Sequence, residues 1–121
     1  HFYFRDNWFA DSGLIGAVIG LYVAGLSGKK LSELREKYTH YAAIPETNFE
    51  VEDKQGAMDR IAKEYAGYDV DLMDGVTVTI DDKTWFNVRP SNTEPLLRLN
   101  AEAADEKSLT SLVEKVKSLI K

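Results

Sequence analysis

The strongest constraint on this chain is a period-two alternation that recurs between residues 68 and 103. Tyr68, Val70 and Leu72 alternate with Asp69 and Asp71, and Asp74-Gly75 then marks a tight turn. Val76, Val78 and Ile80 alternate with Thr77 and Thr79, ahead of a second turn signal at Asp81-Asp82-Lys83. Strand-like runs follow at Thr84 to Val88 and Leu96 to Ala103. The first three of these runs, joined by short turns, fold back on one another, so the pattern predicts an antiparallel meander. Upstream, Thr47, Phe49 and Val51 alternate with Asn48, Glu50 and Glu52, which reads as another half-buried strand.

Helical spacing takes over on either side. Ala57, Met58, Ile61, Ala62 and Tyr65 form one stripe that Gly67 would close as its C′ residue. A last helix, from about Asp105, carries Leu109, Leu112, Val113, Val116 and Leu119 on one face and lysines in its final turns, where they favour the helix dipole. Both stripes read as core faces. Helices on one face of an antiparallel sheet predict an α+β domain from about residue 40 onward. Before it, Leu31, Leu34, Tyr38 and Tyr41 fit a short amphipathic helix. His40 has no partner pattern and reads as a surface or packing residue.

The N-terminal part is different in kind, because no charge occurs between Asp11 and Lys29. Leu14, Ile15, Val18, Leu21, Tyr22 and Leu26 spread apolar surface around one buried helix, with Asp11 or Ser12 as N-cap. The competing reading is a membrane span with Gly16-x-x-x-Gly20 as a pairing motif. The uncharged run is shorter than the roughly 20 residues a span needs, and its glycines weaken it further. A helix apolar all round needs cover on every side. The expectation is therefore packing on the following domain, or self-association through residues 14 to 26.

At 121 residues with 44% hydrophobic content, the chain can fill one core of ordinary size. A net charge of -5 argues against a general nucleic-acid or anionic-membrane surface, while leaving room for a local basic pocket. Without cysteine there is no disulfide, thiolate metal site or cysteine nucleophile, which fits a cytoplasmic location. The start at His1, with no signal-peptide pattern, is expected of a fragment.

Between the last two strand runs lies Arg89-Pro90-Ser91-Asn92-Thr93-Glu94-Pro95. An arginine fork matches an anion in two hydrogen bonds, hydroxyls add donors, and Asn92 tolerates a backbone that turns N–H groups inward. This is the chemistry of an anion cradle; a polar hairpin loop with solvated side chains is the plainer alternative. Pairing Arg89 with Leu96 would set Asn87 opposite Arg98 and Trp85 opposite Asn100. One sheet face would then carry Trp85, Asn87, Arg89, Arg98 and Asn100, and the other Phe86, Val88, Leu97, Leu99 and Ala101.

Arg89 to Pro95 resembles the phosphate-binding loop in the C-terminal domain of the α-D-phosphohexomutases, the family of phosphomannomutase and phosphoglucomutase. The stretch from His1 to Gly13 is similar to the segment after the sugar-recognition loop of that family's third domain, so the resemblance covers essentially the whole chain. Asn92 and Glu94 resemble the phosphomannomutase/phosphoglucomutase branch, where the phosphoglucosamine branch typically has glycine at the Asn92 position.

The resemblance implies residues 1–27 as the tail of a third, sugar-binding domain, ending an α/β fold with one helix, and 28–121 as a C-terminal domain with a TATA-binding-protein-like α+β fold. It implies interconversion of hexose 6-phosphate and hexose 1-phosphate through a phosphoserine and a bisphosphorylated sugar. The substrates would be mannose or glucose phosphates. Magnesium, a hexose 1,6-bisphosphate activator and the remaining domains would belong to the full enzyme, which leaves this fragment inactive alone and without a metal site of its own. Carried over by position, Arg89, Ser91, Asn92 and Thr93 are phosphate ligands and His1 is a remnant of the sugar loop. Strand phase adds Arg98 to the ligand set. A stand-alone phospho-ligand module and an interaction domain built on the apolar helix are the competing readings.

Overall fold

The computed structural model describes all 121 residues and divides into two compact units, His1–Thr39 and His40–Lys121. In the first, a bridge joins Tyr3 to Asp11 around a 3-10 turn at Arg5–Asn7, and helix α1 spans Gly13–Ser27. Ser12 caps it by accepting from the Ile15 N–H, and Gly28 ends it in the left-handed conformation at φ +62°. The helix is where the uncharged run predicts it, but the expectation of burial is corrected: none of its residues is buried. Apolar residues surround the axis, and a unit with only one more short helix, α2 at Leu31–Glu36, has no second layer to cover them. No helix is long and apolar enough to cross a membrane.

The second unit is the expected α+β arrangement, an antiparallel sheet with two helices on it. Its strands are β1 (Ala42–Ala43), β2 (Thr47–Glu50), β3 (Asp69–Asp71), β4 (Val76–Thr79), β5 (Trp85–Pro90) and β6 (Leu96–Ala103). The sheet order is β1-β6-β5-β4-β3, with β2 also paired to β6, so β3 to β5 form the predicted meander and β6 extends it. The two-residue β1 is too short to carry an alternation and is not legible in the sequence.

Helices α3 (Lys54–Glu64) and α4 (Glu106–Ile120) supply the other half of the core. Ala57, Ile61 and Tyr65 from the α3 segment, and Leu109, Leu112, Val113, Val116 and Ile120 from α4, are buried with Val76, Val78, Phe86, Val88, Leu97 and Leu99 of the sheet. Two details depart from expectation. Ile120 takes the buried end of the last stripe while Leu119 is only partly covered, and Gly67 is not left-handed, since α3 ends at Glu64 with Tyr65 as its cap. The Asp105 side chain caps α4 by accepting from the Ser108 N–H. At its other end the Arg60 guanidinium donates to the Leu119 carbonyl at 3.1 Å, a C-terminal cap supplied from a different helix.

The β3–β4 turn is where backbone freedom matters to the rest. Gly75 has φ +75°, and a Cβ there would run into the Val88 carbonyl and lie 2.7 Å from Arg89 Cα. Only glycine lets this turn lie against the end of β5. Gly75→Ala is expected to lower stability by about 1 to 3 kcal/mol in chemical denaturation. A midpoint equal to the parent's would contradict the close approach.

Candidate anion-binding site

The site grows out of the β5–β6 pairing. Asn87 lies opposite Asn100, Arg89 opposite Arg98 and Pro90 opposite Leu97. This corrects the sequence register, which set Arg89 against Leu96, by two residues. The closing bond from the Ser91 N–H to the Leu96 carbonyl, 2.9 Å, draws the strands together one pair further into the loop. Because strand side chains alternate with period two, a slip of two leaves every residue on its expected face. Phe86, Val88, Leu97, Leu99 and Ala101 are buried beneath the sheet, and Trp85, Asn87, Arg89, Arg98 and Asn100 sit half-exposed on the other side.

Two like charges directly opposite on neighbouring strands repel unless something neutralises them. Glu46, just before β2, does so: its carboxylate lies 3.1 Å from Arg89 and 3.5 Å from Arg98. Asp74 lies 3.7 Å from the other terminal nitrogen of Arg89, and Glu94 lies 3.9 Å from that of Arg98. Both guanidinium groups are thus oriented before any ligand arrives. The hydrogen bond from Arg89 lowers the Glu46 pKa, against an opposing push from desolvation, and the charge of Arg98 assists. Asn87 braces the same face by donating to the Asp74 carbonyl and the Thr77 hydroxyl, each at 2.9 Å.

Beyond the arginines, Ser91 is the one buried polar residue, and Asn92, Thr93 and Glu94 are exposed. The loop carbonyls are engaged from below. Lys54, the first residue of α3, donates to the carbonyls of Ser91 and Glu94, both at 3.2 Å, and the Val51 N–H donates to the Pro95 carbonyl at 3.2 Å. The N–H groups of Asn92, Thr93 and Glu94 have no intramolecular acceptor. Successive unclaimed N–H groups beside two guanidinium forks offer an anion more donors than one small oxyanion can use.

Strand phase puts Arg89 and Arg98 on one sheet face, as the structure does, and Ser91, Asn92 and Thr93 lie in the loop that joins their strands, with Ser91 buried and the other two exposed. Sequence reasoning misses Glu46 and Lys54, which stand outside any periodic run and join the site only through tertiary pairing. His1 lies in the first unit, stacked on Tyr3 and paired with Asp11. His40 contacts the Tyr41 ring edge-on. No group of three or more histidine, aspartate or glutamate side chains is placed to hold a metal ion.

Fold and site together define a class: an α+β domain presenting an arginine pair and a donor-lined loop on an open sheet face. Residues 46–119 match the family described as phosphoglucomutase/phosphomannomutase, C-terminal domain, and the chain belongs to that family. A phosphomannomutase of Methanocaldococcus jannaschii is 39% identical over 99% of this chain and 26% of its own length. The Escherichia coli K12 phosphomannomutase is 36% identical over 85% of the chain and 23% of its own length. A phosphoglucosamine mutase of Pediococcus pentosaceus is 31% identical over 99% of the chain. The chain thus spans about a quarter of the length of the curated relatives it matches. A crystal structure of a phosphoglucomutase/phosphomannomutase family protein from Burkholderia thailandensis superposes with a TM-score of 0.57 over 74% of this chain and 19% of that one. At 22% identity the likeness speaks for the fold.

Glu46 generates a pH prediction. Its folded-state pKa is lowered, so the stability it contributes is present above the ordinary carboxylate range and is lost as the pH falls through the lowered value. The difference in melting temperature between the parent and Glu46→Gln should shrink as the pH is taken from neutral into that range. A difference constant with pH would contradict the bridging role.

Proposed function

We propose that this chain is the phosphate-gripping domain of a phosphomannomutase/phosphoglucomutase that interconverts hexose 6-phosphates and hexose 1-phosphates. The observation that carries the reading is the pairing of Arg89 with Arg98 beside a loop in which the N–H groups of Asn92, Thr93 and Glu94 are unclaimed. Phosphate is the anion that suits it. A dianion with several acceptor oxygens can take the Arg89 fork, the Ser91 and Thr93 hydroxyls and loop N–H groups together, with Arg98 closing the far side. Four charge-assisted hydrogen bonds would contribute about 1.5 to 3 kcal/mol each before desolvation and ordering are subtracted.

The domain's own chemistry is binding and orientation. It holds the phosphate that is not reacting, and so fixes the sugar relative to a reactive centre supplied elsewhere in the longer enzyme. A phosphoserine, magnesium and a hexose 1,6-bisphosphate belong to that remainder, and no step runs through them here. The fragment alone is inactive, and the domain closes over the cleft when the sugar phosphate is bound. The preferred sugars are mannose and glucose phosphates, and the working compartment is the cytoplasm. His1 would complete the sugar loop only together with residues outside this chain.

Arg89→Ala in the full-length enzyme should cost about 2 to 4 kcal/mol in kcat/KM, or roughly 30- to 1000-fold. Part of the loss should fall on kcat, because the held phosphate positions the reacting end. A loss below about threefold would exclude Arg89 as a principal ligand.

A further inference from the structure

We propose that Lys54 is a positioning residue of the anion site, which shapes the loop from below and never touches the ligand. The proposal rests on the phosphate-gripping reading above and adds to it the device that presents the loop's donors. Lys54 reaches the loop because β2 runs antiparallel to β6, with Glu50 opposite Leu96, the first residue after the loop. The chain then turns into α3, whose N-cap Asp53 accepts from the Gly56 N–H at 2.8 Å. That cap fixes Lys54 as the first helical residue, with its side chain half-buried beneath the loop.

Its ammonium then takes two carbonyls at once, those of Ser91 and Glu94. A trans peptide points its carbonyl and its N–H in opposite directions. Holding the Ser91 carbonyl down on Lys54 therefore turns the Asn92 N–H up and away from it. Holding the Glu94 carbonyl pins the loop's other end, where the Leu96 N–H shares the same acceptor at 2.8 Å. Between these anchors the N–H groups of Asn92, Thr93 and Glu94 are left to an external acceptor. A lysine suits the task better than a neutral donor, since a charged donor makes the stronger hydrogen bond to each carbonyl.

The test compares Lys54→Met, Lys54→Arg and Arg89→Ala in the 121-residue chain, with inorganic phosphate as the probe and amide resonances as the readout. Lys54→Met should weaken phosphate binding about tenfold, the loss of a bond or two to a charged donor. It should also abolish the phosphate-induced shift of the Asn92 amide while the Arg89 side-chain resonance still responds. Lys54→Arg, which can also span two carbonyls, should restore both. If Lys54→Met binds phosphate as the parent does while Arg89→Ala does not, Lys54 has no positioning role and the site stands. If neither substitution changes binding, both the site and the proposal fall. If Lys54→Arg fails to restore the shift and both lysine variants melt early, Lys54 is a structural clamp only and the proposal is overturned.

Discussion

Phe86, Val88, Leu97 and Leu99 are fully buried on adjacent strands, and the pairing of β5 with β6 that buries them is the constraint on which the site depends. Four side chains of this size are excluded from water only if every second residue of both strands faces the helices. The intervening residues must then face outward, and two of those are Arg89 and Arg98. Burial of the apolar face is thus what places two cations side by side on the open face, a juxtaposition that neither would adopt for its own electrostatics. A one-residue slip would put Arg98 in the core and is excluded by the cost of an unpaired buried charge.

The electrostatic consequence runs through the acidic residues. Glu46 bridges the two guanidinium groups, and Asp74 and Glu94 hold their outer nitrogens, so two positive charges face three negative ones. Prior alignment of this kind reduces the side-chain entropy that ligand binding would otherwise have to overcome. It also means that the local charge is not basic, in keeping with the net -5 of the chain. Recognition by this face would therefore depend on geometry, on two forks and a line of N–H groups at fixed positions, more than on bulk attraction. The loop contributes through its backbone. Gly75 packs against Val88 and Arg89 at the end of β5, and Lys54 holds the carbonyls of Ser91 and Glu94 at the two ends of the loop.

How much of this could be read from the residues follows from what each signal encodes. Alternation gives faces, and the faces of β5 and β6 were legible to the residue. Alternation does not give register, because a shift of two leaves the pattern unchanged, and so the partner of Arg89 was Arg98 and not Leu96. The loop residues were legible through their chemistry and their likeness to a phosphate loop. Glu46 and Lys54 were not, since each is a single charged residue in a polar stretch, and only the β2–β6 pairing brings them to the loop. The N-terminal helix shows the reverse case. Its apolar composition predicts a covered helix, but cover is a tertiary property, and here the helix stands with Leu14, Leu21 and Leu26 exposed.

The central claim is that the open β5–β6 face and its loop together hold a phosphate. It is tested most directly by a crystal structure of the chain with mannose 1-phosphate. The expected result is a phosphate group within hydrogen-bonding distance of Arg89 and of at least two N–H groups among Asn92, Thr93 and Glu94, with the Ser91 and Glu94 carbonyls still turned to Lys54. A sugar phosphate bound elsewhere, with Arg89 making no contact to it and the loop donors facing water, would contradict it.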